Sequence, residues 1–180
     1  MKNNLEFCFD TLINDLEDMV ELDKLTYLPE DSANIEELIT WYNQNKDIFV
    51  LLKDDKKLIG YSIFFPITKE CYNKYKNGEI LEGEIEGKDI LNWQENCSHY
   101  VLFNNISINP KYQNGEAIKI LTQGIKIKID ELKNKNIKLN NVVAECDSPD
   151  GIKYLTRTFN FKPVGTNNAR GILYEGKMLI

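Results

Sequence analysis

The sequence predicts a mixed α/β fold: a central, mostly antiparallel twisted sheet of about six or seven strands flanked by about four helices. Three observations predict it. Two apolar runs, Ile48 to Leu52 and Leu58 to Ile67, are separated by the charged stretch Lys53 to Lys57, which reads as an antiparallel hairpin. A long amphipathic segment, Glu116 to Asn134, lies between the apolar runs Tyr100 to Ile108 and Val142 to Cys146. That pattern reads as a β-α-β unit with a right-handed parallel crossover. Two further runs, Phe161 to Val164 and Ile172 to Leu179, end the chain around the turn Gly165-Thr166-Asn167-Asn168. The 180 residues are enough for a single domain over 1–180, and its core needs no metal or disulfide.

The elements follow in order. Residues 4–10 alternate loosely and suit a first strand. Leu16, Met19, Val20 and Leu22 are spaced for one helical face, with Asn14 or Asp15 as cap and Pro29 ending the region. A second helix fits Ile35 to Gln44, with Ile35, Leu38, Ile39 and Tyr42 on one side. After the hairpin, residues 69–98 change character. Glutamates 70, 79, 82, 84, 86 and 95 and Asp89 are interspersed with Gly78, Gly83 and Gly87 and with scattered apolar side chains. This acidic insertion is expected to be an excursion from the sheet, built of two short helices. The strand 100–108 is interrupted by Asn104-Asn105 and stopped by Pro110. In the following helix Ile118, Leu121, Ile125, Ile129 and Leu132 form one stripe, with Lys119, Lys126 and Lys133 turned away. Ser148-Pro149-Asp150 reads as a helix start: serine caps, proline takes the first turn, and the acid faces the positive end.

Composition excludes several classes. Lysine and arginine number 22 against 28 acidic residues, a net charge of −6, so a basic nucleic-acid footprint is not expected. The N-terminus lacks the apolar core of a signal peptide, and the longest mostly apolar stretch, 58–67, falls short of the ~20 residues of a membrane helix. A cytoplasmic protein with no membrane contact is expected. Cys8, Cys71, Cys97 and Cys146 show no CxxC spacing and His99 is the single histidine, so no metal site is expected.

The turn from strand 100–108 into helix 116–134 carries the clearest chemical signal. A glycine before a helix lets an anion approach the backbone, where the first N–H groups lack partners and the dipole favours negative charge. Gly115 holds that position, and Lys111 adds a point charge. The run Ile106-Ser107-Ile108-Asn109-Pro110-Lys111-Tyr112-Gln113-Asn114-Gly115-Glu116-Ala117-Ile118 resembles the acyl-CoA-binding motif of the GNAT superfamily of N-acyltransferases. In that motif a strand ends in an apolar-x-Pro step, and Arg/Gln-x-x-Gly-x-Gly/Ala leads into a helix. Gly151 to Gly165 is similar to the family's later signature, an apolar helix running into Gly-Phe and a strand. Three departures stand out. Gly115-Glu116-Ala117 matches Gly-x-Ala, but Tyr112 then falls at the Arg/Gln position; aligning Gln113 there needs a loop one residue shorter. Asn160 replaces the glycine of Gly-Phe. Thr156 occupies the slot where many members carry a tyrosine that protonates the departing thiolate, and Tyr154 lies two residues away, about 200° around the helix.

The resemblance implies transfer of an acetyl or short acyl group from acetyl-CoA to a primary amine of a small molecule or protein, by direct attack on the thioester. The backbone of Ile106, Ser107 and Ile108 would hold the pantetheine arm. N–H groups of Gln113, Asn114, Gly115, Glu116, Ala117 and Ile118 would hold the pyrophosphate, with Lys111 beside them. Glu145 is the candidate base and Tyr154 the candidate acid. Asn104 and Asn105 are candidates for exposing amides to the acyl carbonyl and acceptor. The excursion 69–98 is expected to cover the acceptor site. The terminal hairpin, Ile172 to Ile180, is a candidate pairing edge for a homodimer. The alternative reading is a non-catalytic acyl-CoA-binding or protein-interaction domain of the same fold.

Overall fold

A computed structural model describes residues 4–28, 32–113, 115–167 and 171–178. The elements are β1 (Leu5–Cys8), α1 (Ile13–Asp23), α2 (Ile35–Gln44), β2 (Phe49–Asp54), β3 (Lys57–Ile67), α3 (Lys69–Lys76), β4 (Ser98–Ile108), α4 (Glu116–Asn134), β5 (Lys138–Cys146), α5 (Pro149–Thr158), β6 (Lys162–Asn167) and β7 (Gly171–Gly176). The seven strands form one sheet in the order β1-β2-β3-β4-β5-β7-β6. β4 and β5 pair in parallel, as the β-α-β pattern predicts, while β1–β2, β2–β3, β5–β7 and β6–β7 are antiparallel. Contacts divide the chain into two compact units: residues 1–63 with 105–128, and residues 64–104 with 129–180. Among the described residues, no helix is long and apolar enough to cross a membrane.

In the first unit, β2 joins β3 through a tight turn in which Asp55 and Lys56 both take positive φ (47° and 73°), the geometry that matches strand twist in a two-residue hairpin. The strands therefore reach further into the charged stretch than its composition suggests: Lys53 and Asp54 belong to β2 and Lys57 to β3. α1 starts at Ile13, before both expected caps, Asn14 and Asp15. Leu12 is its N-cap, and Asp15 instead accepts the Leu12 N–H at 2.8 Å and pairs with Lys53 at 2.7 Å. Asn34 caps α2 by accepting from Glu36 N–H at 2.9 Å. Leu16, Met19, Leu38, Phe49, Leu51, Ile59, Leu121 and Ile125 form the core, each no more than 1% exposed. Lys128 is buried too, with its ammonium against Asp47 and 5.2 Å from the centre of the Phe9 ring.

In the second unit, the excursion holds one α-helix, α3, followed by short 3₁₀ turns at Glu82–Glu84 and Gly87–Asp89; this corrects the expectation of two helices there, and the described residues hold five α-helices. The carboxylates of Glu84 and Asp89 accept the backbone N–H groups of Leu81 and Glu86, so those turns are locally capped. β5 begins at Lys138, four residues before the expected Val142, and Asn140 and Asn141 are half-buried within it. Gly165, Thr166 and Asn167 lie in β6 rather than in a turn; Asn168 and the end of the chain, Leu179 and Ile180, are outside the described residues, as is Pro29. Ser148 caps α5 through Gly151 N–H at 3.1 Å, as predicted.

Candidate functional site

The strand-to-helix turn is built from its own hydrogen bonds. Asn109 donates its N–H to Ile59 O at 2.8 Å and caps the 3₁₀ turn Pro110–Tyr112 by accepting from Lys111 N–H at 3.0 Å. The Tyr112 hydroxyl donates to Asp54 at 2.9 Å. Gln113 is exposed but folds back onto the turn: its side-chain amide donates to Ile108 O at 3.0 Å and its backbone N–H to Pro110 O at 3.4 Å. The Gln113 N–H is therefore committed within the turn. Gly115 takes φ +87°, and a Cβ built there would meet nothing within 4 Å. The glycine is required by backbone conformation, and the space around it is open. Ala117 is fully buried in the first turn of α4, while Lys111 and Glu116 are exposed. Asn114 lies outside the described residues.

A buried polar chain, absent from the sequence reading, lies in the same unit. Asp23 ends α1 at 0% exposure. Its Oδ2 accepts from the Tyr61 hydroxyl at 2.7 Å and from Ala33 N–H at 3.2 Å. Asn105 donates from Nδ2 to the Tyr61 oxygen at 2.8 Å and accepts the Tyr27 hydroxyl at 2.9 Å. Ser107 shares a hydroxyl bond with Thr26 at 3.0 Å. Burial pushes the Asp23 carboxyl above its ordinary value, against the hydrogen bonds from Tyr61, Ala33 and Ser107, which pull it down. Gly60 makes this convergence possible, because a Cβ there would stand 2.9 Å from Ser107 O. The β4 backbone stays in strand conformation through Asn104-Asn105; its described irregularity against β5 falls between Ser98 and Tyr100.

In the second unit, the β4–β5 ladder runs from Ser98↔Lys138 to Leu102↔Val143, and both strands continue past it. Asn104 follows on β4, its Nδ2 buried without a hydrogen bond. Glu145 lies on β5 and is half-buried. Its Oε2 accepts from Asn167 Nδ2 at 2.9 Å and from the Tyr75 hydroxyl at 3.3 Å. Two strand positions away, Glu175 accepts Tyr72 at 2.5 Å and Lys76 at 2.7 Å. Burial alone would raise Glu175, but those bonds and the Lys76 charge outweigh it and hold the carboxyl below its usual value. Burial, then Glu175, keeps the Tyr72 phenol protonated well above the ordinary tyrosine value. Tyr154 is half-buried, its ring edge-on to Phe159 at 5.5 Å, while the Thr156 hydroxyl donates to Ile152 O at 2.7 Å. Asn160 takes φ +56°, so asparagine supplies the left-handed conformation that a glycine gives in the related motif. In the excursion, a groove of about 550 Å³ is lined by residues including Glu70, Cys71, Lys74, Glu84 and Asp89. Its acids are largely committed: Glu70 pairs with Lys74, Glu86 pairs with Lys88, and Glu84 and Asp89 cap backbone.

No family model and no curated protein matches the sequence. Solved structures do match the fold. The PaiA N-acetyltransferase of Thermoplasma acidophilum, in complex with coenzyme A, is similar at TM-score 0.57 and 16% identity, over 97% of this chain and 99% of that one. A GNAT-family acetyltransferase from Bacillus cereus is similar at TM-score 0.57 and 11% identity, with both chains fully covered. The chain has the GNAT fold. An N-acetyltransferase from Staphylococcus aureus gives TM-score 0.59 at 17% identity, over 98% of this chain and 99% of that one. At such identities the GNAT likeness is one of backbone architecture. The sequence reading missed two buried polar pairs, Asp23 with Tyr61 in the first unit, and Tyr75 and Asn167 around Glu145 in the second. Each depends on a partner at least 22 residues away.

Proposed function

We propose that this chain is a GNAT-type acyltransferase. It moves an acetyl or other short acyl group from acyl-CoA to a primary amine of a small molecule or protein. One observation carries the reading: Gly115, at φ +87° with open space where a side chain would stand, opens the nineteen-residue helix α4. The first N–H groups of such a helix have no helical partner and suit a pyrophosphate. The fold likeness to an N-acetyltransferase solved with coenzyme A supports the same ligand.

In this reading the N–H groups of Gly115 to Ile118 and the charge of Lys111 take the phosphates, with Asn114 beside them. Gln113 shapes the turn, since its own N–H is bonded to Pro110. The backbone of Ile106 to Ile108 takes the pantetheine arm, and Asn104 and Asn105 face the acyl carbonyl and acceptor. The acceptor ammonium gives a proton to Glu145, and the neutral nitrogen attacks the thioester carbon. The carbon–sulfur bond breaks and CoA leaves as thiolate, to be protonated by Tyr154 or solvent. The excursion 69–98 covers the acceptor, the terminal hairpin pairs two copies, and the protein works in the cytoplasm.

Titration of the protein with acetyl-CoA and with free CoA tests the reading. Micromolar binding is expected. Gly115→Val should weaken it by about tenfold or more, because a β-branched residue at this φ is strained by about 1–3 kcal/mol. Failure of both ligands to bind at millimolar concentration would overturn the proposal. A second reading, a non-catalytic acyl-CoA-binding or interaction domain, is favoured by Thr156, whose hydroxyl is bonded into its own helix where the related motif has an acidic tyrosine. Release of CoA on addition of amines separates the two.

A further inference from the structure

Glu145 is a half-buried carboxylate, and no cation among the described residues pairs with it. Buried charges are ordinarily paired. Lys76, carried by the same helix as Tyr75, is engaged with Glu175. Both donors that reach Glu145 are neutral and both bind the same oxygen, Oε2. No described donor reaches Oε1.

The donors themselves look dedicated to this carboxylate. Asn167 is 0% exposed and its Oδ1 is buried without a hydrogen bond. An orphaned carbonyl in a dry site is costly, and an apolar side chain of the same shape would avoid that cost. The one bond that its amide is described as making is the one to Glu145. Tyr75 is 1% exposed, and burial, followed by Glu82 and Glu145, raises its phenol well above the ordinary value, so it remains a donor. Gly171 completes the seat. A Cβ there would stand 2.8 Å from Glu145 Cγ and 2.9 Å from Oε1.

We propose that Tyr75 and Asn167 are positioning residues that fasten Oε2 of Glu145, so that Oε1 meets the ammonium of a primary amine. Gly171 keeps the space beside Oε1 open. The proposal rests on the acyltransferase reading and gives it an acceptor subsite. The ammonium hands one N–H proton to Oε1, and the electron pair left on nitrogen becomes the nucleophile.

The test uses the full chain with ¹³C-labelled glutamate side chains. The Glu145 carboxyl signal is assigned by its loss in Glu145→Gln, and n-butylammonium is the probe. The wild-type signal should move saturably with the probe. Tyr75→Phe, Asn167→Leu and Gly171→Ala should each weaken that response about fivefold or more. Asn167→Leu should keep or raise the melting temperature, because it removes the orphaned carbonyl; a residue that serves only structure would lower it. Where an acceptor turns over, kcat should fall about tenfold in Tyr75→Phe with KM for acetyl-CoA unchanged. A Glu145 signal indifferent to the probe, or variants that respond as the wild type does, would overturn the proposal even if acetyl-CoA binds. A responsive Glu145 in a protein that binds no acetyl-CoA would keep the ammonium subsite and sink the acyltransferase reading.

Discussion

Asp23 is an acid at the C-terminal end of α1, where the helix dipole disfavours negative charge, and it is buried as well. Both effects make its ionised form expensive, and the hydrogen bonds from Tyr61, Ala33 and Ser107 offset them only in part. The sign of the consequence follows from the raised carboxyl. In the folded chain Asp23 holds its proton to higher pH than in the unfolded chain. Its contribution is therefore most favourable below its ordinary value of 3.8 and is lost as pH rises through the folded value. Asp23→Asn keeps an acceptor for Tyr61 and Ala33 and removes the charge. Urea unfolding should find the variant at least as stable as wild type at neutral pH, with the difference shrinking toward pH 3.8. A variant less stable than wild type at neutral pH would sink this account. The residue carried a legible warning in the sequence, an acid where a helix end wants a base, but its partner Tyr61 lies 38 residues away and no local pattern points to it.

At the scale of elements, packing overrides propensity at one place in α4. Gly124 lies mid-helix, where alanine would normally gain about 1 kcal/mol. Here a Cβ would stand 2.9 Å from Phe7 Cγ and 3.0 Å from Val50 Cγ1. Overpacking of that kind costs about 1–3 kcal/mol. Gly124→Ala should therefore lower stability by about 1 kcal/mol, and pairing it with Phe7→Leu should recover part of the loss. Thermal melts of the two singles and the double form the cycle that checks it. The limits of α2 and α4 were legible because their apolar spacing and end residues agree. α4 stops where Asn136 turns to φ +55° and Ile137 N–H returns to Leu132 O at 3.0 Å. The start of β5 was not legible, because Asn140 and Asn141 read as loop until a neighbouring strand satisfies them. The excursion was misread for a related reason. Its acids looked like helical surface, yet two of them, Glu84 and Asp89, cap single turns.

For the molecule as a whole, ligand and stability are linked. If acetyl-CoA binds the folded chain alone, a concentration of 100 times Kd should raise stability by about 2.7 kcal/mol. Gly115→Val should lose about half or more of that gain at the same concentration, and without ligand it should melt below wild type because valine is strained at φ +87°. A melting temperature indifferent to acetyl-CoA would contradict the expected site. The net charge of −6 adds a second expectation. Turnover of a cationic amine should weaken with salt, whereas salt-independent turnover of a neutral acceptor would count against electrostatic attraction. The fold class was legible at this scale because element order alone restricts the topology. The two candidate features were unequally legible: Gly115 announces itself in the sequence, but the seat of Glu145 is assembled from α3, β5, β6 and Gly171, which no single stretch of sequence brings together.

Lys128 has a consequence of a different kind. Its ammonium is enclosed by Asp47 and the Phe9 ring, with only 3% of the residue exposed. Amine-reactive tags find a lysine only when its nitrogen can shed a proton into solvent. Timed labelling read by peptide mass should therefore tag Lys128 late, at the pace of local opening, and so report on the integrity of its unit without an engineered probe.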